Sequence, residues 1–224
     1  MCENCEDKKK KFMDDKTFKD VTPSKLITEC LNNTDELKTL ETSIETWDMV
    51  NRNIYLGDID EDLAVSVVHL IRFWNQMDNV DNIPKEERQP ITIYIDSGGG
   101  SLTGALTIAD GIIMSKTPVY TINMGCAYSG GLLCFIVGHR RYTFPSASFL
   151  FHEGSTNSGN IDAGKFRNFA EYYEQLILRM KKYFLEYTGM SEEMYKEKYR
   201  DDFWFFPEEA IELGFADEIL EEYL

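Results

Sequence analysis

At 224 residues and 43% hydrophobic content, the chain carries enough apolar side chain for one sizeable core and too little for two full domains. Its net charge of -16 creates an average surface field that repels phosphate backbones and anionic membranes, which excludes nucleic acid and lipid headgroups as natural partners. Five cysteines, at 2, 5, 30, 126 and 134, lack framework spacing and read as reduced thiols. Cys2 and Cys5 have metal-ligand spacing, but no second pair or close histidine completes a tetrahedral site, so neither metal nor cofactor is expected. The first residues lack the apolar core of a signal peptide and no run is long enough to span a bilayer, so the expected location is cytoplasmic.

Residues 1–50 read as a charged N-terminal extension with a lysine run at 8–11, partly helical around 26–40; residues 51–224 read as the folded domain. Order begins at Arg52-Asn53-Ile54-Tyr55-Leu56-Gly57, a short strand. Asp60, Glu61 and Asp62 then mark a helix start, and Leu63, Val67, Leu70, Ile71 and Trp74 recur at helical spacing. His69 lies mid-helix without a partner and is set aside. Ile91-Thr92-Ile93-Tyr94-Ile95 is a strand that runs into Asp96-Ser97-Gly98-Gly99-Gly100-Ser101 and a helix over 102–114. That glycine loop has neither the Lys-Ser/Thr of a P-loop nor dinucleotide glycine spacing, so its use is to aim a backbone N–H into a site.

A second unit of the same kind follows. Val119 to Asn123 is β-prone, and Leu132-Leu133-Cys134-Phe135-Ile136-Val137 is a buried helical run. Between them Met124-Gly125-Cys126-Ala127-Tyr128-Ser129-Gly130-Gly131 places Ser129 on a tight strand-to-helix turn. Small neighbours permit such a turn, and a helix start leaves N–H groups unpaired beside the hydroxyl. A nucleophile elbow has glycine two residues either side of its serine; Ala127 relaxes that match, and a serine that merely caps the helix is the competing reading. Two strand-turn-helix units bring Gly99 and Ser129 to one edge of a parallel sheet.

His139, after Gly138, reads as a C-terminal cap of the Ser129 helix. Strands are expected over 141–144 and 148–151, the second ending in His152 before a glycine-rich loop, 153–164. Residues 165–188 form a long helix whose stripe of Phe166, Phe169, Tyr173, Leu176, Met180 and Phe184 exceeds what one small domain covers, so another subunit is expected against it. Short helices from Ser191 and Pro207 and a last strand within 215–220 complete the chain.

A serine hydroxyl needs a base within hydrogen-bond reach, and that base needs an acid to fix its tautomer. Of three histidines only His152 ends a strand. Spacing leaves the acid open among Asp162, Asp201, Asp202 and Asp217. The chain order serine, histidine, aspartate differs from the chymotrypsin, subtilisin and α/β-hydrolase orders, so a triad here belongs to another fold.

From about Val50 to Leu220 the chain resembles the proteolytic subunits of ATP-dependent Clp proteases, the ClpP family. Tyr94-Ile95-Asp96-Ser97-Gly98-Gly99-Gly100 is similar to the family's Ser-Pro-Gly-Gly loop, Met124 to Ser129 to its nucleophile segment, and Phe151-His152 to its histidine strand. Leu178-Arg179-Met180-Lys181 with Thr188-Gly189 resembles its handle helix, and Arg200-Asp201-Asp202-Phe203, Glu209-Ala210 and Gly214-Phe215-Ala216-Asp217 its acid motif and C-terminal helix. The resemblance implies an α/β fold, the ClpP/crotonase-like spiral of ββα units with a protruding handle helix. It implies a serine endopeptidase with Ser129, His152 and Asp201 as triad and Gly99 and Gly130 as backbone oxyanion donors. It also implies stacked rings of seven, unfolded protein or peptide substrates, and a ring ATPase as unfoldase.

Some positions depart from the family. Gly98 stands where proline is usual, Tyr128 where a small residue precedes the nucleophile, and Gly130 where a bulky one follows it. Tyr199 takes the place of an acid that pairs across rings with the arginine equivalent to Arg200. Two other classes share the fold: a crotonase-like acyl-CoA enzyme, which needs no serine nucleophile, and a non-catalytic ring subunit, whose mark would be missing triad members.

Overall fold

The computed structural model describes residues 36–156 and 162–223, and its contacts divide the chain into two units, Met1–Val50 and Asn51–Leu224. The lysine run at 8–11, Cys2, Cys5 and Cys30, the first part of the segment 26–40 and residues 157–161 of the loop after His152 lie outside the described residues. Helix α1 (Glu36–Asn51) is the described part of the N-terminal segment.

The second unit is built on a parallel sheet. After β1 (Asn53–Leu56) and α2 (Glu61–Val80), β2 (Ile91–Ser97) leads to α3 (Leu102–Ile113), and β3 (Val119–Tyr128) to α4 (Gly130–Ile136). Strands β4 (Arg140–Thr143) and β5 (Ser148–Phe151) precede the long helix α5 (Ala163–Tyr187) and the short α6 (Glu192–Lys198). Strand β6 (Phe203–Phe205), α7 (Pro207–Glu212) and β7 (Glu218–Ile219) follow. The order is β1-β2-β3-β4-β7, all parallel, with β5 alongside the end of β3 and β6 antiparallel to β5.

Local chemistry sets the element boundaries. Asp60 caps α2 by accepting from Leu63 N at 2.7 Å, and Ser101 caps α3 by accepting from Gly104 N at 3.1 Å. Pro207 occupies the first turn of α7, where its missing N–H costs nothing. Along β2 every second side chain is fully covered: Ile91, Ile93 and Ile95 are at 0% exposure and pack with Ala64, Val67 and Ile71 of α2 and Ile108 and Ile112 of α3. Burying each isoleucine stabilises the fold by about 1.5–3 kcal/mol, which fixes the register of the central strand.

Strand β3 runs five residues beyond the expected end at Asn123. It pairs with β4 as far as Asn123 and then exchanges that partner for β5, with Cys126, Ala127 and Tyr128 opposite Ser148, Phe149 and Leu150. Asn123 Nδ2 supports the exchange by donating to Ser148 O at 2.9 Å. The strand therefore delivers the chain to Ser129 with no intervening loop.

The second half of α5 buries Met180 and Phe184 in the core, while Phe166 and Tyr172 of its first half are exposed within the chain. Among the described residues no helix is long and apolar enough to cross a membrane, and no group of three or more His, Cys, Asp or Glu side chains is placed to hold a metal ion.

Candidate active site

Ser129 is held at φ 53°, ψ -117°, between the end of β3 and the start of α4. A non-glycine residue at positive φ costs energy, and a strand-to-helix elbow is where a protein accepts that cost to project a hydroxyl. The hydroxyl makes no capping bond to α4, so the helix-cap reading does not describe it. Its backbone is fixed from β5, since Ser129 N donates to Leu150 O at 2.9 Å. The same strand ends one residue before His152, and so the pairing of β3 with β5 brings serine and histidine to one place.

The glycine loop after β2 closes over the elbow from the other side. At Gly99, φ is 106° and a Cβ would come within 2.7 Å of Ser129 Cβ and 3.0 Å of Tyr128 O, so only glycine fits. The loop is stitched to the segment after β1: Ile59 N donates to Gly99 O at 2.6 Å and Ser101 N to Ile59 O at 2.8 Å. At Gly100, where φ is 130°, a Cβ would fall 2.1 Å from Ile59 O. Gly98 N donates to Asp58 Oδ1 at 2.8 Å. Gly130, first residue of α4, has an N–H that no intrahelical carbonyl can take, whereas Gly99 N–H donates to Ser97 Oγ at 3.1 Å.

Ser129 and His152 line one cavity of about 510 Å³, with Gly100, Ser101 and Gly130 on one wall and Phe169, Tyr172 and Tyr173 of α5 on another. His152 Nε2 is buried and has no hydrogen-bond partner, so Ser129 Oγ makes no hydrogen bond to it. At the other ring nitrogen, Nδ1 lies 3.3 Å from Asp202 Oδ1. Asp201, the acid picked by resemblance, is exposed and makes no ion pair with the imidazole. Two other candidates are engaged elsewhere. Asp162 pairs with Lys165 at 3.4 Å, and Asp217 is bound by Arg141 through its backbone N at 2.8 Å and through its guanidinium. Burial pushes the Asp217 carboxyl up, but the Arg141 hydrogen bonds and charge outweigh it and hold the group below the usual carboxylate range.

Three neighbours shape the surroundings. Tyr128, the large residue before the serine, donates or accepts at Ser148 Oγ over 2.7 Å and meets Trp204 edge-on at 5.0 Å. Cys126 is not poised as a thiolate: burial first, and then its 3.2 Å bond to Asp96 Oδ1, push its thiol up to about 11. His139 is not a helix cap. Its Nδ1 accepts from Val119 N at 2.9 Å and its own N–H donates to Val119 O at 2.8 Å, which ties it to the start of β3.

The structure thus sets a serine on a strained elbow and a histidine at a strand end along one cavity of a parallel α/β sheet, and comparison with known proteins gives the family. Residues 41–223 match the family model described as Clp protease. The chain belongs to the Clp protease family. It is 32% identical to the ATP-dependent Clp protease proteolytic subunit 2 of Thermobifida fusca, over 75% of this chain and 80% of that protein. It is equally identical to the proteolytic subunit 2 of Tropheryma whipplei, over 76% of this chain and 92% of that one. Among solved structures, a mutant ClpP1 of Listeria monocytogenes superposes with TM-score 0.66 at 25% identity, covering 80% of this chain and 96% of that one. The fold is the ClpP/crotonase-like fold and the enzyme class is serine-type peptidase. A crotonase-like acyl-CoA enzyme and a non-catalytic ring subunit are not favoured by membership of the Clp protease family.

Proposed function

We propose that this chain hydrolyses peptide bonds of unfolded proteins or peptides inside a ring-shaped chamber, fed by an ATP-driven unfoldase in the cytoplasm. Family membership supports the reaction, and the relatives named ATP-dependent proteolytic subunits support the partner. The observation that carries it is the uncapped hydroxyl of Ser129, held in a strained elbow and facing a cavity shared with His152.

Ser129 Oγ attacks the peptide carbonyl carbon while its proton passes to His152 Nε2, and a carboxylate at Nδ1 holds the ring and stabilises its cation. Resemblance offers Asp201 for that carboxylate and proximity offers Asp202. The tetrahedral oxyanion is received by the N–H groups of Gly130 and Gly99, the latter after leaving Ser97 Oγ. Nε2 and Oγ must also close together, and the exposed first half of α5 is the surface on which assembly into rings of seven would act. Phe166 and Tyr172 there supply the apolar contact.

A fluorophosphonate probe and a short fluorogenic peptide test the reading on the full-length protein. The Ser129→Ala variant should lose labelling and roughly a million-fold in turnover, while keeping the wild-type particle size by light scattering. Cleavage at the wild-type rate by that variant would reject Ser129 as nucleophile.

A further inference from the structure

Four hydrogen bonds pin the glycine loop between β2 and α3, and one of them differs in kind from the others. Gly98 N donates to Asp58 Oδ1 at 2.8 Å, Gly99 O accepts from Ile59 N at 2.6 Å, and Ser101 N donates to Ile59 O at 2.8 Å. These partners all belong to the segment after β1. The fourth bond is made by the peptide unit between Gly98 and Gly99, whose N–H is accepted by Ser97 Oγ at 3.1 Å. Ser97 is fully buried at the end of β2, with its backbone paired to Ala127 of β3. Its side chain lies against the first turn of α4, where a Cβ on Gly131 would fall 2.9 Å from Ser97 Oγ. The hydroxyl is therefore confined on the side opposite the loop. Gly99 is buried as well and backs onto the Cβ of Ser129. A buried N–H without an acceptor is costly, so the resting site keeps this donor satisfied.

We propose that Ser97 is a positioning residue for the reaction: its hydroxyl holds the Gly99 N–H in the resting enzyme and yields it to the anionic oxygen of the tetrahedral intermediate, not to the neutral carbonyl of the bound peptide. The inference rests on the serine-peptidase reading above, with Gly99 as an oxyanion donor. A hydroxyl and a peptide carbonyl are both neutral acceptors, so exchanging one for the other gains little, whereas an oxyanion accepts about twice as strongly. As Ser129 Oγ bonds to the carbonyl carbon, its proton moves to His152 and the carbonyl π pair moves onto oxygen. Only then does the N–H gain by leaving Ser97. The bond withholds the donor from the ground state and reserves it for the transition state. The exchange is a tilt of one peptide unit with glycine on both sides, and the bonds to residue 59 stay in place.

Four forms of the full-length protein test this: wild type, Ser97→Ala, Ser97→Cys and Ser129→Ala. A short fluorogenic peptide gives kcat and KM separately, a fluorophosphonate gives a labelling rate, and only material of wild-type size is assayed. In Ser97→Ala the N–H has no partner until a carbonyl arrives, so KM should fall roughly five-fold while kcat stays within about two-fold. The labelling rate should rise by a similar factor, because the phosphoryl oxygen takes the same seat. Ser97→Cys keeps a side chain at the position with a weaker acceptor, and its KM should lie between the two. An unchanged or raised KM, or a fall in kcat of about ten-fold or more in either variant, is what a merely structural serine would give and overturns the assignment. The serine-peptidase reading would then still stand. Failure of wild type to label, or labelling that survives Ser129→Ala, overturns that reading and this inference with it.

Discussion

Gly98 N–H donates to Asp58 Oδ1 at 2.8 Å and so joins the glycine loop after β2 to the turn after β1. Proline, usual at this place in the family, has no N–H to offer. Glycine and Asp58 thus work as a pair in this chain. Asp58→Ala and Gly98→Pro are each expected to cost about 1 kcal/mol in urea denaturation, the scale of one partly exposed charge-assisted bond. The double variant should cost less than the sum. Strict additivity would show that the two residues act independently.

Asp78 is fully buried and accepts from both terminal guanidinium nitrogens of Arg52, at 2.8 and 2.6 Å, and from Thr117 Oγ1 at 2.6 Å. Burial pushes its carboxyl up, but the Arg52 and Thr117 bonds prevail and hold it below the usual range. Asp78→Ala strands the guanidinium and should cost about 3–5 kcal/mol. The native value is depressed, so the pair's stabilisation is present above the unfolded value of about 3.9 and disappears as pH falls through the native one. Urea midpoints should therefore fall more steeply below about pH 4 in wild type than in the variant. Parallel slopes would refute the linkage.

His139 gives a second pH signature at milder acidity. Burial pushes its imidazole below the ordinary value, and Nδ1 must stay unprotonated to accept the Val119 N–H. The unfolded chain takes up this proton below about pH 6.5 and the folded chain resists it, so stability is complete above that pH and declines beneath it. His139→Gln can still accept a hydrogen bond but does not titrate. Its urea midpoint should change less than that of wild type between about pH 7 and pH 5.5. An equal change would place the acid sensitivity elsewhere.

The central strands and their helices were legible because each declares itself locally. Ile91, Ile93 and Ile95 alternate over a strand, and Asp60 with Leu63, Val67 and Ile71 writes a capped amphipathic helix. The elbow at Ser129 was legible from the small residues around it, and the position of His152 from the strand it follows. Strand β6 was not, because three residues carry no period and the strand exists only where β5 pairs with it. The extension of β3 past Asn123 depends in the same way on the partner it meets there. Which carboxylate lies near His152 Nδ1 depends on how the turn before β6 meets the end of β5, which is tertiary information. His139 was misplaced for a related reason: its contact is with Val119, twenty residues back, rather than with the helix it follows.

The stitching of residue 59 to the glycine loop has a consequence for how that loop behaves. Three consecutive glycines ordinarily mean slack, yet here Ile59 is bonded to both Gly99 and Ser101 as if it were a strand one residue long. On the opposite side Gly99 lies against the serine backbone with no room for a methyl group. The glycines serve proximity instead of motion. Amide hydrogens at 59 and 101 should exchange with solvent as slowly as those inside β2, so the mould around the hydroxyl is already set when a peptide arrives.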